Sequence, residues 1–243
     1  MRLLSVFPLL LLLSATVQAA PVDPTLTRVL ELSGVALLCE QTAPLLQRGM
    51  PANQQKRLDK TFAASALCDD LAKRLASELP KAQLEEALQL LDSPLAQQFT
   101  EAERGVAEAG GLADYRAQLS QRPPRAERVE LVRRLDKAAH TTELATLLRY
   151  EVGKTQALLT LKARGETLSE KALGEQTAGQ VAALRSSSAS GVEAFMLYAY
   201  RQTPSAQLTE YAALYEQAPV HAVLEATVRQ LPKVFAARRA QFK

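Results

Sequence analysis

Apolar residues recur along this chain at helical spacing. Leu84, Leu88 and Leu91 fall at i, i+4 and i+7. Near the C-terminus Val220, Val223, Leu224, Thr227, Val228, Leu231, Val234 and Phe235 hold one face throughout, with Pro232 expected to kink the helix. Sustained period-two alternation and Asn-Gly or Asp-Gly hairpin turns are missing. The pattern predicts an all-α helix bundle.

The elements can be read in order. Asp23-Pro24 is a cap and first-turn pair opening a helix with Leu26, Val29, Leu30 and Leu37, expected to weaken near Pro44 and stop by Gly49-Met50-Pro51. A second helix carries Leu58, Phe62, Leu71, Leu75 and Leu79, and Pro80 opens a third. Leu95 and Phe99 face inward on a fourth, which Gly110-Gly111 ends. The pattern lapses between Ala109 and Arg125, apart from a short helix around Leu112 to Leu119. Val129, Val132 and Leu135 resume it, followed by Leu144, Leu147, Leu148 and Val152. Gly165 breaks the run, and Thr167 with Glu170 reads as a capping box. Ser186 to Ser190 reads as a turn, with Ser190 and Glu193 as a second box.

Two of the helix-to-helix corners share a pattern. Asp92-Ser93-Pro94-Leu95-Ala96-Gln97 recurs as Gln202-Thr203-Pro204-Ser205-Ala206-Gln207: a hydroxyl residue, proline, one variable residue, then Ala-Gln. Ser93 and Thr203 suit N-caps, and Pro94 and Pro204 suit the first turn, where a missing N–H costs nothing. Gln97 and Gln207 fall in that turn, able to bond neighbouring backbone. The repeat predicts a duplicated antiparallel unit, with residues 20–111 and 126–243 as the halves and 112–125 as linker.

These corners resemble the family known as domain of unknown function 2059, whose usual corner is an aromatic-rich helix end followed by Ser-Pro-x-Gly-Gln. Leu90-Leu91 and Tyr198-Tyr200 stand here at the aromatic positions, and Ala96 and Ala206 replace the glycine. The resemblance spans about residues 81–108 and 190–238. It implies an exported helical protein and supplies no catalytic residues.

Residues Met1 to Ala19 read as a secretory leader: Arg2, an apolar run from Leu3 to Leu13, then Val17-Gln18-Ala19. That run of about eleven residues is too short to span a bilayer. Cleavage is expected after Ala19, giving a periplasmic protein. Lys plus Arg number 29 against 26 Asp plus Glu, a net charge of +3. So small an excess argues for neither nucleic acid nor obligatory anionic lipid. Cys39 and Cys68 are the only cysteines, and an oxidising compartment favours their pairing as a disulfide. On two straight helices, however, they would stand at levels roughly 9 Å apart at about 1.5 Å per residue.

Candidate chemistry is sparse. Gly153-Lys154-Thr155 imitates the end of a phosphate-binding loop, but Leu148 stands where glycine is needed. Neither Ser-x-x-Lys nor Gly-x-Ser-x-Gly occurs. Asp69-Asp70 and Glu85-Glu86 point about 100° apart on a helix, unsuited to a cooperating pair. His140 with Glu143, and His221 with Glu225, read as separate helix-surface pairs. Zinc wants three or four protein ligands and His-Glu-x-x-His is missing, so no metal, cofactor or catalytic residue is assigned.

Two features bear on binding. Phe195, Tyr198, Tyr211 and Tyr215 crowd the second corner, either as a more aromatic core or as an apolar groove for a peptide or apolar small molecule. Beyond Glu225 the chain carries Arg229, Lys233, Arg238, Arg239 and Lys243 without an acid, either a solvated helix end or a patch for anionic lipid. The leading expectation is a non-enzymatic binding or interaction scaffold in the cell envelope. The alternatives are a peripheral membrane-surface protein docking through its basic last helix, and an enzyme of unrecognised type.

Overall fold

The computed structural model describes residues 23–242, and helices account for most of them. The expected leader lies outside those residues. In chain order the helices are α1 (Pro24–Leu32), α2 (Val35–Gln47), α3 (Ala52–Thr61), α4 (Ala64–Ala76), α5 (Lys81–Leu91), α6 (Pro94–Ala109) and α7 (Leu112–Gln118). They continue as α8 (Ala126–Ala138), α9 (Thr141–Ala163), α10 (Glu170–Thr177), α11 (Val181–Ala199), α12 (Ser205–Tyr215) and α13 (Ala218–Arg239). No strand occurs among the described residues, so the protein is all-α.

Local signals account for most boundaries. Asp23 caps α1 by accepting from the Thr25 amide at 2.9 Å, with Pro24 in the first turn. Ser93 caps α6 by accepting from the Ala96 amide at 3.4 Å, again with proline following. The second corner behaves differently. Thr203 makes no cap there, Pro204 is itself the capping position, and the turn is closed by the Thr203 amide donating to Tyr200 O at 2.8 Å.

The structure corrects four local expectations. The first helix is broken after Ser33, because Gly34 adopts φ +77°, and α1 and α2 diverge by 75°. That turn takes Leu37 off the inward face and leaves it exposed. The second helix likewise breaks at Phe62 and Ala63 into α3 and α4. Ser186 to Ser190 is not a turn but the middle of α11, where Ser187 and Ser190 hydroxyls bond back to Leu184 and Ser186 carbonyls. Ser169, rather than Thr167, caps α10, accepting from the Ala172 amide at 3.1 Å.

The break between α3 and α4 settles the geometry of the cysteines. Folding back there lays α4 along α2, so the two cysteines meet at disulfide distance, Cα to Cα 5.9 Å.

Helix α13 is the axis of the molecule. It packs on α4 and α5 from the first half of the chain and on α9 and α12 from the second. Apolar residues line more than one of its faces: Val223, Leu224, Ala226, Leu231, Val234 and Phe235 are all buried. Phe235 lies 5.5 Å from the Phe62 ring, which in turn stacks on Phe242 at 6.2 Å. One buried apolar cluster runs from Leu26 to Phe242 across both halves.

Candidate functional site

The two Pro-x-Ala-Gln corners meet in space. Gln98 on α6 donates to Gln207 Oε1 on α12 at 3.5 Å, and Phe99 stacks on Tyr211 with ring centroids 3.9 Å apart. Gln97 reaches back to Asp92 O at 3.1 Å, holding the first corner shut. Ser93, Pro94, Gln97, Thr203, Pro204 and Gln207 therefore sit at two apposed helix starts, Ser93 and Gln97 bonded to backbone of their own corner and Gln207 to Gln98 of the other.

Of the four rings read as a core or a groove lining, Tyr211 and Tyr215 are buried and Phe195 and Tyr198 half-buried. Tyr211 and Tyr215 are buried, 5.1 Å apart and edge to face, their hydroxyls 3.3 Å from one another. Tyr200 lies against Phe99 at 5.0 Å and donates its hydroxyl to Glu103 Oε1 at 2.5 Å. Phe195 is half-buried against the same core. Tyr198 donates to Gly110 O at 2.8 Å, and Gly111 (φ +78°) leaves no room beside it: a Cβ there would meet the phenol oxygen at 2.8 Å. Arg201 covers the outer face of the Tyr198 ring at 4.1 Å.

Sequence reasoning missed Glu103, though a signal was present: Phe99, Glu103 and Val106 share one face at i, i+4 and i+7. Burial pushes this carboxyl above its ordinary value of 4.5, and the Tyr200 hydrogen bond only partly opposes that. The phenols of Tyr200 and Tyr211 are driven well above 10.0, first by burial and then by nearby acidic groups.

A second ionisable assembly joins α9, α10 and α13. Arg239 is buried and forks onto Glu170, from Nε to Oε2 at 3.0 Å and from Nη2 to Oε1 at 2.5 Å. Its Nη2 also lies 2.6 Å from the buried Glu151 Oε2, close enough for charge contact but misaligned for hydrogen bonding. Lys154 bonds Glu170 Oε1 at 2.8 Å and lies 3.8 Å from Glu151. Two acids and two bases thus neutralise one another. Burial raises Glu151 against the pull of Arg239 and Lys154. Burial also acts upward on Glu170, but hydrogen bonds from Arg239 and Lys154, with their charge, carry it below 4.5.

Two cations of the last helix, Arg238 and Arg239, are therefore committed to the interior. Arg238 bonds Thr61 O at 2.9 Å, Ala66 O at 2.7 Å and Asp70 Oδ2 at 2.5 Å, and Arg229 is paired with Glu78. Of the five basic residues beyond Glu225, Lys243 lies outside the described residues and Lys233 is exposed.

The histidines, read separately in the sequence, come together at the α8–α9 corner: His140 Nε2 lies 3.4 Å from His221 Nε2 on α13. Each keeps its expected acidic neighbour, Glu143 at 2.8 Å and Glu225 at 3.7 Å.

Two open clefts mark the surface. One of about 190 Å³ lies between α3 and the end of α9, lined by Arg57, Leu58, Leu159, Lys162 and Phe242 among others. The second, about 430 Å³ and mostly polar, lies between α8 and α11 and is lined by Val132, Arg133, Asp136, Ser186, Ala189, Ser190 and Glu193. No family model, curated protein or solved structure matches this chain.

Proposed function

We propose that the chain is an exported scaffold of the bacterial cell envelope that works by binding a partner in the periplasm. The cysteines at 5.9 Å support export, since such pairs close as disulfides in an oxidising compartment. The apolar stretch at residues 3–13 and the likeness of the corners to an exported helical family add to it.

The observation that carries the binding reading is the trough between α8 and α11. Small residues Ser186, Ala189 and Ser190 leave the space, and Arg133 with Glu193, paired at 2.8 Å, puts both charges on its wall. That lining suits a polar peptide segment of a partner protein. The interior acids and bases, by contrast, are used to tie helix to helix. Docking on lipid through the last helix recedes, because Arg238 and Arg239 face inward.

The test is a photo-crosslinking residue at Ser190, with the exposed Glu166 as control position, in cells expressing the full chain. A discrete protein adduct from Ser190 alone, in the periplasmic fraction, is the expected result. Equal adducts from both positions, or retention of the chain in the cytoplasm, would overturn the reading.

A further inference from the structure

Only two histidines occur in this protein, and folding brings them from 81 positions apart into contact. His140 stands in the connection between α8 and α9, where its carbonyl accepts the first bond of α9 from the Leu144 amide at 2.8 Å. His221 and Glu225 occupy one face of α13, a turn apart. A donor atom from each of His140, His221 and Glu225 lies within 4.8 Å of the other two.

Three independent features of this meeting point in one direction. The first is the protonation of His140. Its Nδ1 lies 2.8 Å from Glu143 Oε2, and a carboxylate there holds the ring proton on Nδ1. Nε2 is then the acceptor nitrogen of the ring, and it faces His221 Nε2 at 3.4 Å. Carboxylate-to-imidazole contacts of this kind orient and sharpen metal-binding histidines.

The second feature is the spacing. Two nitrogens held at about 2.0–2.1 Å by one tetrahedral zinc ion stand about 3.4 Å apart. The observed separation of the two Nε2 atoms is 3.4 Å. On the third side Glu225 Oε2 lies 3.7 Å from His221 Nδ1, and a Glu225 carboxylate oxygen is within 4.8 Å of a ring nitrogen of each histidine. Its other neighbour, Arg229, is 3.8 Å away and engaged with Glu78, so Glu225 remains available.

The third is backbone strain. His140 has φ +52°, ψ +25°, the one non-glycine residue at positive φ among the described residues. Glycine or asparagine usually takes such a position after a helix. A strained conformation held by a side chain with its own partners is the kind found at ligand sites.

We propose that His140, His221 and Glu225 form a binding site for a divalent transition-metal ion of the zinc class, with the fourth position open to solvent. Imidazole and carboxylate donors favour zinc, copper or nickel over calcium or magnesium. Glu143 is a positioning residue that holds His140 in its metal-binding tautomer. The site joins the α8–α9 corner to the start of α13 and does not depend on the partner-binding reading.

The experiment is calorimetric titration of the chelator-treated full-length protein with Zn²⁺, with Co²⁺ absorption as a readout of coordination. One ion per chain, a rise in Tm and a tetrahedral cobalt spectrum are expected. H140G and H221Q should each weaken binding by at least about tenfold, and E143A by roughly tenfold. Glycine relieves the positive φ, so metal-free H140G should melt at or above the wild-type temperature. Its loss of binding then reports coordination rather than misfolding. Absence of saturable uptake, or uptake unchanged in H140G and H221Q, would overturn the site.

Discussion

Glu103 and Glu151 are both carboxylates on the inward face of a helix, and the protein accommodates them by opposite means. Around Glu103 stand Phe99 and the phenols of Tyr200, Tyr211 and Tyr215, with the Tyr200 hydroxyl as its donor. Around Glu151 stand two cations and a second acid, which together balance to zero. In both places burial raises the carboxyl. A neutral cage needs no matching charge but favours the protonated acid. A charged cage sets cations against that upward push but makes each member dependent on the others. The first suits the apposed corners, where two helices close on one another. The second suits α13, which must be tied to α9 and α10 at its far end.

The difference is tested most severely at Arg239. R239M keeps much of the side-chain volume and strips the guanidinium from Glu151 and Glu170, leaving Lys154 as their remaining cation. A buried charge left without its partner costs about 3–5 kcal/mol, read as a drop in the urea midpoint at constant slope. Adding E151Q to R239M should recover a good part of that loss, because the stranded charge is gone. A single-variant loss within about 0.5 kcal/mol, the range of ordinary surface changes, would show that the charges are not mutually dependent.

The neutral cage should respond less. Y200F leaves the ring against Phe99 and takes from buried Glu103 the one hydrogen bond it receives among the described residues, at a cost of about 1–3 kcal/mol for a buried polar group left unsatisfied. Y211F loses only its contact with the Tyr215 hydroxyl and should cost about 1 kcal/mol or less. Equal costs would mean that Glu103 does not use the Tyr200 donor, and the contrast between cages would fail. Denaturant unfolding of the two variants at neutral pH makes the comparison.

Much of this architecture is legible in the sequence, and the illegible part has definite causes. The all-α class, the caps at Asp23 and Ser93 and the spacing of the last helix follow from local chemistry alone. The breaks at Gly34 and at Phe62 and Ala63 do not, because the apolar period runs on through them and only packing selects the bend. Arg238 and Arg239 read as solvated tail charges, since nothing local says that α13 runs through the middle of the bundle. Glu103 and Glu151 were detectable as acids in phase with apolar neighbours, Glu151 lying three positions after Leu148 and four before the buried Thr155. The meeting of His140 and His221 had no local signal, because it depends on how α8, α9 and α13 are stacked.

The finest distinction lies in pH. Glu103 is raised above 4.5 in the folded protein, so folding favours its protonated form. Its contribution to stability is complete below the unfolded value and is lost as pH rises through the folded one. Glu170 is lowered, so its contribution is present above the unfolded value and is lost as pH falls through the folded one. E103Q should therefore flatten the decline in stability from about pH 4.5 upward, while E170Q should flatten the decline below it. The Glu170 effect is the smaller, because its side chain is 42% exposed and solvent screens the pair. Urea midpoints across the acid and neutral range for both variants decide the matter. Both variants flattening the same limb would show that the two cages treat their carboxylates alike.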